Sequence, residues 1–216
     1  MNREAIVNTP EWGELFRSLP VLQGFFGGDP AAHGFHALLH GLAVYLEKVL
    51  DHVDRQKPFV WHNLGFNPEL TYALGDASPV GIESLGVLHN LLGDINLSLD
   101  FIDSAQGAGI PPDCCSADKI AIGAIQKGLY PPPACTVGVN TPCDAQVLST
   151  QVMQELSGAP FFAIDVPYYH NDETIQHVAA QLKELIPFLE QHTGCKLDYD
   201  RCLLYTSDAA DESSSV

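Results

Sequence analysis

Basic side chains are scarce in this chain: ten lysines and arginines stand against 27 acids, for a net charge of −17. So acidic a surface repels phosphate backbones and anionic lipid heads, which argues against nucleic acid or an anionic membrane as partner. Charge of either sign is thin, at 17% of residues, where globular chains usually carry about a quarter. That implies much buried surface, part of it available to an interface. No apolar run approaches the roughly 20 residues that span a bilayer. Met1-Asn2-Arg3-Glu4 has no basic stretch leading into an apolar core, so no secretion signal is expected. Also missing are a C-x-x-C pair, an H-E-x-x-H helix, a glycine-rich phosphate-binding fingerprint and any internal repeat. The expectation is a cytoplasmic protein whose six cysteines are thiols or metal ligands rather than disulfides.

What is present is an alternation. A length of 216 residues suffices for one α/β domain with a small helical extension. Residues 31–54 carry the apolar stripe of a helix, with Phe35, Leu38, Leu39, Leu42, Leu46, Val49 and Leu50 on it. This helix belongs to a helical lead-in over residues 1–56, and Gly24 to Pro30 before it reads as a loop. A buried strand is predicted at Pro58–His62. Asn67-Pro68-Glu69 then supplies an N-cap, a proline at the first helical position and an acid in the first turn. A strand at Pro79–Glu83 and a helix over 84–102 follow. Next come a helix from Ser116 to Lys127, a strand at Cys135–Val139, a helix opened by Asn140–Asp144 and a strand at Phe161–Val166. A long helix capped by Asn171 runs to His192, with a kink expected at Pro187. Short apolar strands between helices predict a parallel, Rossmann-like sheet covered on both faces over residues 57–201.

In such sheets, ligands bind beyond the carboxyl ends of the strands. Three loops meet that condition: His62 to Asn67, Asn140 to Asp144, and Pro167 to Asn171. Cys143 lies between a strand end and a helix start, where N–H groups and the helix dipole favour a thiolate. Cys115 precedes a helix in the same way. A free cysteine is more often a small buried apolar residue, and the spacing of this pair is no compact metal motif. Cys135, Cys195 and Cys114 read as structural. His36 and His40 have i, i+4 spacing without the acid that metal-binding helices of this kind carry. His62 ends a strand and His170 follows one, where a hydrogen-bonded histidine is the commoner role.

Longer stretches decide more. Cys115-Ser-Ala-Asp-Lys-Ile-Ala-Ile-Gly123, Gly128-Leu-Tyr-Pro131 and Thr141-Pro-Cys143-Asp144 together resemble the D-component family of 2-hydroxyacyl-CoA dehydratases and benzoyl-CoA reductases. The 28-residue separation of Cys115 and Cys143 is similar to the spacing of that family's first two cluster cysteines. Phe59-Val-Trp-His62, then Asn67-Pro-Glu69-Leu-Thr-Tyr-Ala-Leu-Gly75, resembles the family's strand and following helix start, with Leu70 or Thr71 where a second glutamate stands. The resemblance implies a 4Fe–4S cluster held by three thiolates, with one iron left open. Cys115 and Cys143 would be two of the ligands, and the third would lie in a second domain that is missing here.

The implied reaction is radical elimination of water from a 2-hydroxyacyl-CoA, whose β-hydrogen is too weakly acidic for ordinary elimination. One low-potential electron converts the thioester carbonyl to a ketyl, which expels the 2-hydroxyl group, and the electron is then recycled. Glu69 is the first candidate for handling protons, and His62 the second. The implied partners are an acyl-CoA substrate, a homologous second subunit and an ATP-dependent iron–sulfur activator. Rival readings are a benzoyl-CoA reductase-type subunit, a non-catalytic relay or scaffold subunit, and a plain α/β binding module. From Cys202 the chain reads Cys-Leu-Leu-Tyr-Thr-Ser-Asp-Ala-Ala-Asp-Glu and then serines, which resembles a translated sequencing adapter. Residues 202–216 are therefore expected to be a non-native, disordered tail.

Overall fold

The computed structural model describes residues 2–27, 30–92 and 95–202. In chain order these form α1 (Arg3–Val7), α2 (Pro10–Phe26), α3 (His33–Asp54), β1 (Phe59–His62), α4 (Glu69–Tyr72), β2 (Ser78–Gly81), α5 (Ile82–Leu92) and α6 (Ile95–Gly107). Then come α7 (Ser116–Gln126), β3 (Cys135–Val139), α8 (Asp144–Ser157), β4 (Phe161–Ile164) and α9 (Asp172–Thr193). They divide into two compact units. The first combines residues 1–57 with 82–131, and the second combines 58–81 with 132–216.

The second unit is the α/β layer. Its four strands are all parallel, in the order β2-β1-β3-β4. β1 and β3 are central and buried along their whole length. This explains their continuous apolar runs, since a parallel sheet offers no solvent face to its inner strands. Pro79 has no N–H for the ladder, and it sits in β2, an edge strand pairing only with β1. On one face of the sheet, Val60, Cys135, Val137, Val139 and Ile164 pack with Phe66 and Leu74 and with Leu185 and Leu189 of α9. The leucines at 182, 185 and 189 recur at helical spacing and form the stripe α9 turns inward. Toward α8 the sheet carries Gly138. A Cβ there would meet the Thr150 Cβ at 3.1 Å, so strand and helix lie at close approach. α9 starts on a capping box, Asn171 Oδ1 accepting from the Thr174 N–H and Thr174 Oγ1 from the Asn171 N–H. It stops at Gly194, whose φ of 71° suits glycine.

The first unit is helical. Thr9 caps α2, with Pro10 at its first position and Thr9 Oγ1 accepting the Trp12 N–H. Trp12 is buried, donates Nε1–H to the Leu129 carbonyl at 2.7 Å and packs edge-on against Tyr130. α6 and α7 approach so closely that a Cβ on Gly123 would collide with the Phe101 carbonyl.

Several expectations are corrected. The helix expected over 84–102 falls on α5 and α6, and residues 93–94 between them lie outside the described part. The strand expected to reach Glu83 stops at Gly81, and Ile82 already opens α5. α2 extends to Phe26, into the segment read as a loop. Pro68, not Asn67, holds the cap position of α4, with Asn67 Oδ1 only 3.5 Å from the Glu69 N–H. The tail call falls on residues 203–216, outside the described residues, with Cys202 the last described.

Two glycines in helices should respond oppositely to alanine. Gly123→Ala should lower the urea midpoint by the equivalent of about 1–3 kcal/mol, because backbone must move to admit the methyl group. Gly41 has open space around its Cα, so Gly41→Ala should stabilise by about 0.5–1 kcal/mol through helix propensity alone.

Candidate functional site

Because the four strands are parallel, their carboxyl ends share one edge of the second unit, and three connecting loops gather there. Their spacing is set by side-chain amides. Asn63, directly after β1, donates Nδ2–H to the Val139 carbonyl at 2.7 Å, and its Oδ1 accepts the Val139 N–H at 3.2 Å. Asn140, directly after β3, repeats the device toward β4. Its Oδ1 accepts the Val166 N–H at 2.8 Å and its Nδ2–H donates to Asp165 at 2.7 Å. Gln181 of α9 does the same for both backbone groups of Asp165. The sequence reading missed all three. The available signal was an asparagine immediately following each of two strands, where the ladder loses its partners.

Of the predicted residues, His62, Glu69 and Cys143 lie in this unit, at the ends of the neighbouring strands β1 and β3. Their loops touch: a Cβ on Gly65 would collide with the Thr141 carbonyl and lie 3.2 Å from Gln146 Oε1. Only glycine fits there. Cys143 is exposed and occupies the N-cap of α8 without capping it through its side chain. It follows a cis Thr141–Pro142 peptide. Glu69 is half-buried as the first residue of α4, and its Oε2 is buried with no hydrogen-bond partner among the described residues. Gln146 Oε1, on the first turn of α8, is in the same condition.

His62 is buried and packs against Phe66, with ring centroids 5.3 Å apart. Nδ1 lies 2.9 Å from the Asn63 carbonyl. A carbonyl only accepts, so Nδ1 carries the proton and Nε2 keeps its lone pair. Burial pushes the imidazole pKa down to about 4, the carbonyl contact opposing this. The ring is thus neutral near pH 7.

Cys115 belongs to the first unit. It is exposed at the N-cap of α7 and likewise makes no side-chain cap. Its neighbour Cys114 is half-buried, and burial followed by the Asp118 carboxylate raises its thiol pKa. Cys135 is buried in β3, where burial pushes its pKa up to about 12. Cys114, Cys115, Cys135, Cys143 and Cys195 are thiols outside any disulfide. Among the described residues no group of three or more His, Cys, Asp or Glu is placed to hold a metal ion, His33, His36 and His40 included. No helix among them is long and apolar enough to cross a membrane.

A parallel sheet carrying polar loops and Cys143 along its carboxyl edge defines an α/β protein of the open-sheet class. The chain belongs to the 2-hydroxyglutaryl-CoA dehydratase, D-component, family, whose description matches residues 63–204, about two thirds of its length. It is therefore a dehydratase-type subunit. No curated protein matches it.

Two measurements check the site's physical state. Iodoacetamide on the folded chain should modify Cys115 and Cys143 and leave Cys135 untouched until urea unfolds the protein; equal rates for all three would contradict the burial. His62 has a folded pKa of about 4 against 6.5 unperturbed, so the unfolded state binds the proton first. Its contribution is fully present above pH 6.5 and fades as pH falls toward 4, by about 3 kcal/mol in total. Urea titrations across that window should show this slope, and His62→Gln should flatten it.

Proposed function

We propose that this chain is an iron–sulfur subunit of an enzyme that eliminates water from a 2-hydroxyacyl-CoA. One observation carries the reading. The family match spans Glu69 and Cys143, and these residues follow adjacent parallel strands whose ends are clamped together by Asn63. The donor chemistry fits a cluster in kind. Cys115 and Cys143 are free, exposed and uncommitted to capping, and thiolates are the usual soft ligands of a 4Fe–4S cluster. They would supply two of its ligands, with the third coming from elsewhere. When bound, such a cluster supplies a low-potential electron to a thioester carbonyl, which makes the 2-hydroxyl group a better leaving group and the β-hydrogen more acidic.

The chain's own groups then handle position and protons. Glu69 has a buried carboxylate oxygen with no hydrogen-bond partner among the described residues, and in this reading it takes up the β-proton at Oε2. Its backbone is held at the start of α4, with Ala73 N–H on the Glu69 carbonyl at 2.9 Å. His62 is neutral and donates Nδ1–H to the Asn63 carbonyl. It acts as an acceptor through Nε2 rather than as an acid. A homologous second subunit and an ATP-dependent iron–sulfur activator complete this reading, in the cytoplasm, with electrons delivered by the activator.

The test is anaerobic turnover of the assembled enzyme beside its iron content. Glu69→Gln should lower kcat by about 10² or more while iron stays constant, as expected for loss of a general base. Cys143→Ser should lower iron itself. Unchanged turnover in Glu69→Gln would return that residue to a helix-dipole role, and reduction of an aromatic ring in place of dehydration would move the chain to the reductase branch.

A further inference from the structure

In the first unit, Lys119 keeps only 4% of its surface exposed, and Asp118 beside it keeps 2%. Lysine is almost never buried this far unless it is paired. Here Nζ donates to the Pro112 carbonyl at 2.7 Å. That partner is neutral: it satisfies one N–H of the ammonium and leaves the charge standing. The position is unfavourable on a second count. Lys119 is the fourth residue of α7, and its side chain reaches back past the helix start, where the dipole repels a cation. Burial and dipole both act against this charge, and a neutral side chain of similar length would escape both.

What the lysine holds is the segment leading to Cys115. Its backbone N–H donates to the Cys115 carbonyl at 3.0 Å, while Nζ holds the Pro112 carbonyl. One residue thus grips both ends of Pro112–Cys115. The Cys114 N–H closes the turn on the Pro111 carbonyl at 3.1 Å, and the Cys115 thiol stays exposed without capping the helix. Two buried charges reach this segment with opposite signs. At Cys114, burial raises the thiol pKa most, Asp118 adds to the rise and Lys119 opposes it. Charges this buried are screened little by salt or solvent, so their influence extends over several ångströms.

We propose that Lys119 is a positioning residue for an iron–sulfur cluster bound at Cys115, fixing the Pro112–Cys115 segment and setting the cluster's reduction potential through its buried charge. The inference rests on the cluster reading above and adds the group that tunes it. One electron from the activator makes the site one unit more negative, with no bond made or broken. Lys119 favours that reduced state and raises the potential, whereas Asp118 opposes it and lowers the potential. Together they set how readily the electron is accepted.

The experiment is a spectroelectrochemical titration of the assembled, anaerobically reconstituted enzyme, with iron measured in parallel. Lys119→Met removes the charge at similar length. It should shift the one-electron equilibrium toward the oxidised state about tenfold, equivalent to a potential lowered by about 59 mV. Lys119→Arg keeps the charge and should hold the potential near that of the unsubstituted enzyme. Asp118→Asn should raise it. Opposite signs separate charge from damage, since a merely loosened loop would lower iron and leave the potential of the retained cluster in place. Where Lys119→Met does not fold, Asp118→Asn decides: a raised potential supports the inference and an unmoved one overturns it. Unmoved potentials in both variants, or shifts of the same sign, would overturn it while the cluster reading stands. An unsubstituted enzyme that binds no iron would overturn the two together.

Discussion

Where a parallel strand ends, its last N–H and C=O lose the ladder partners that held them, and the loops beyond are free to splay. Asn63 prevents this between β1 and β3 with one side chain that both donates to and accepts from Val139. It is fully buried, so neither bond has water as a ready substitute. Each such bond is worth about 1 kcal/mol net, and leaving a buried partner unmade costs about 1–3 kcal/mol. Asn140 and Gln181 extend the same arrangement to β4. Three loops are thereby held at one edge of the sheet. Those amides, with the strands, hold the loops that carry Glu69 and Cys143.

Environment then divides residues of one type among different tasks. Cys135 and Cys143 are both unpaired thiols in the second unit. One is surrounded by Val60, Val137 and Leu185 and behaves as a small hydrocarbon, its ionisation suppressed by burial. The other stands exposed at a helix start. His62 is likewise recast by its surroundings. Burial withdraws it from the titration range in which histidine normally switches, leaving a neutral hydrogen-bonding group.

Elements with strong local signals were legible. β3 begins and ends where its run of apolar residues does, and α9 begins at Asn171 and stops at Gly194, because cap chemistry acts over a few residues. The end of β2 was not legible, because Ile82 prolongs its apolar run yet already opens α5. Asn67 likewise has the composition of an N-cap, yet Pro68 takes the position and leaves the asparagine at the margin of hydrogen-bonding distance. At the site, Cys143 and Glu69 could be placed beyond strands, and His62 at a strand end, from sequence alone. Asn63 carried only the signal of an asparagine directly after a strand, since its partner Val139 lies far along the chain.

The sequence by itself determined a parallel α/β layer, the loops after its strands and the family those loops resemble, because each of these is written in contiguous residues. Only tertiary structure decided that residues 58–81 fold with 132–202 while the intervening stretch joins the amino-terminal helices. It alone decided that His62 is neutral and that Gly65 must stay without a side chain. The physical reason is common to all three. Burial and close approach depend on which distant segments meet, and that is set by the packing of the whole unit rather than by any local pattern.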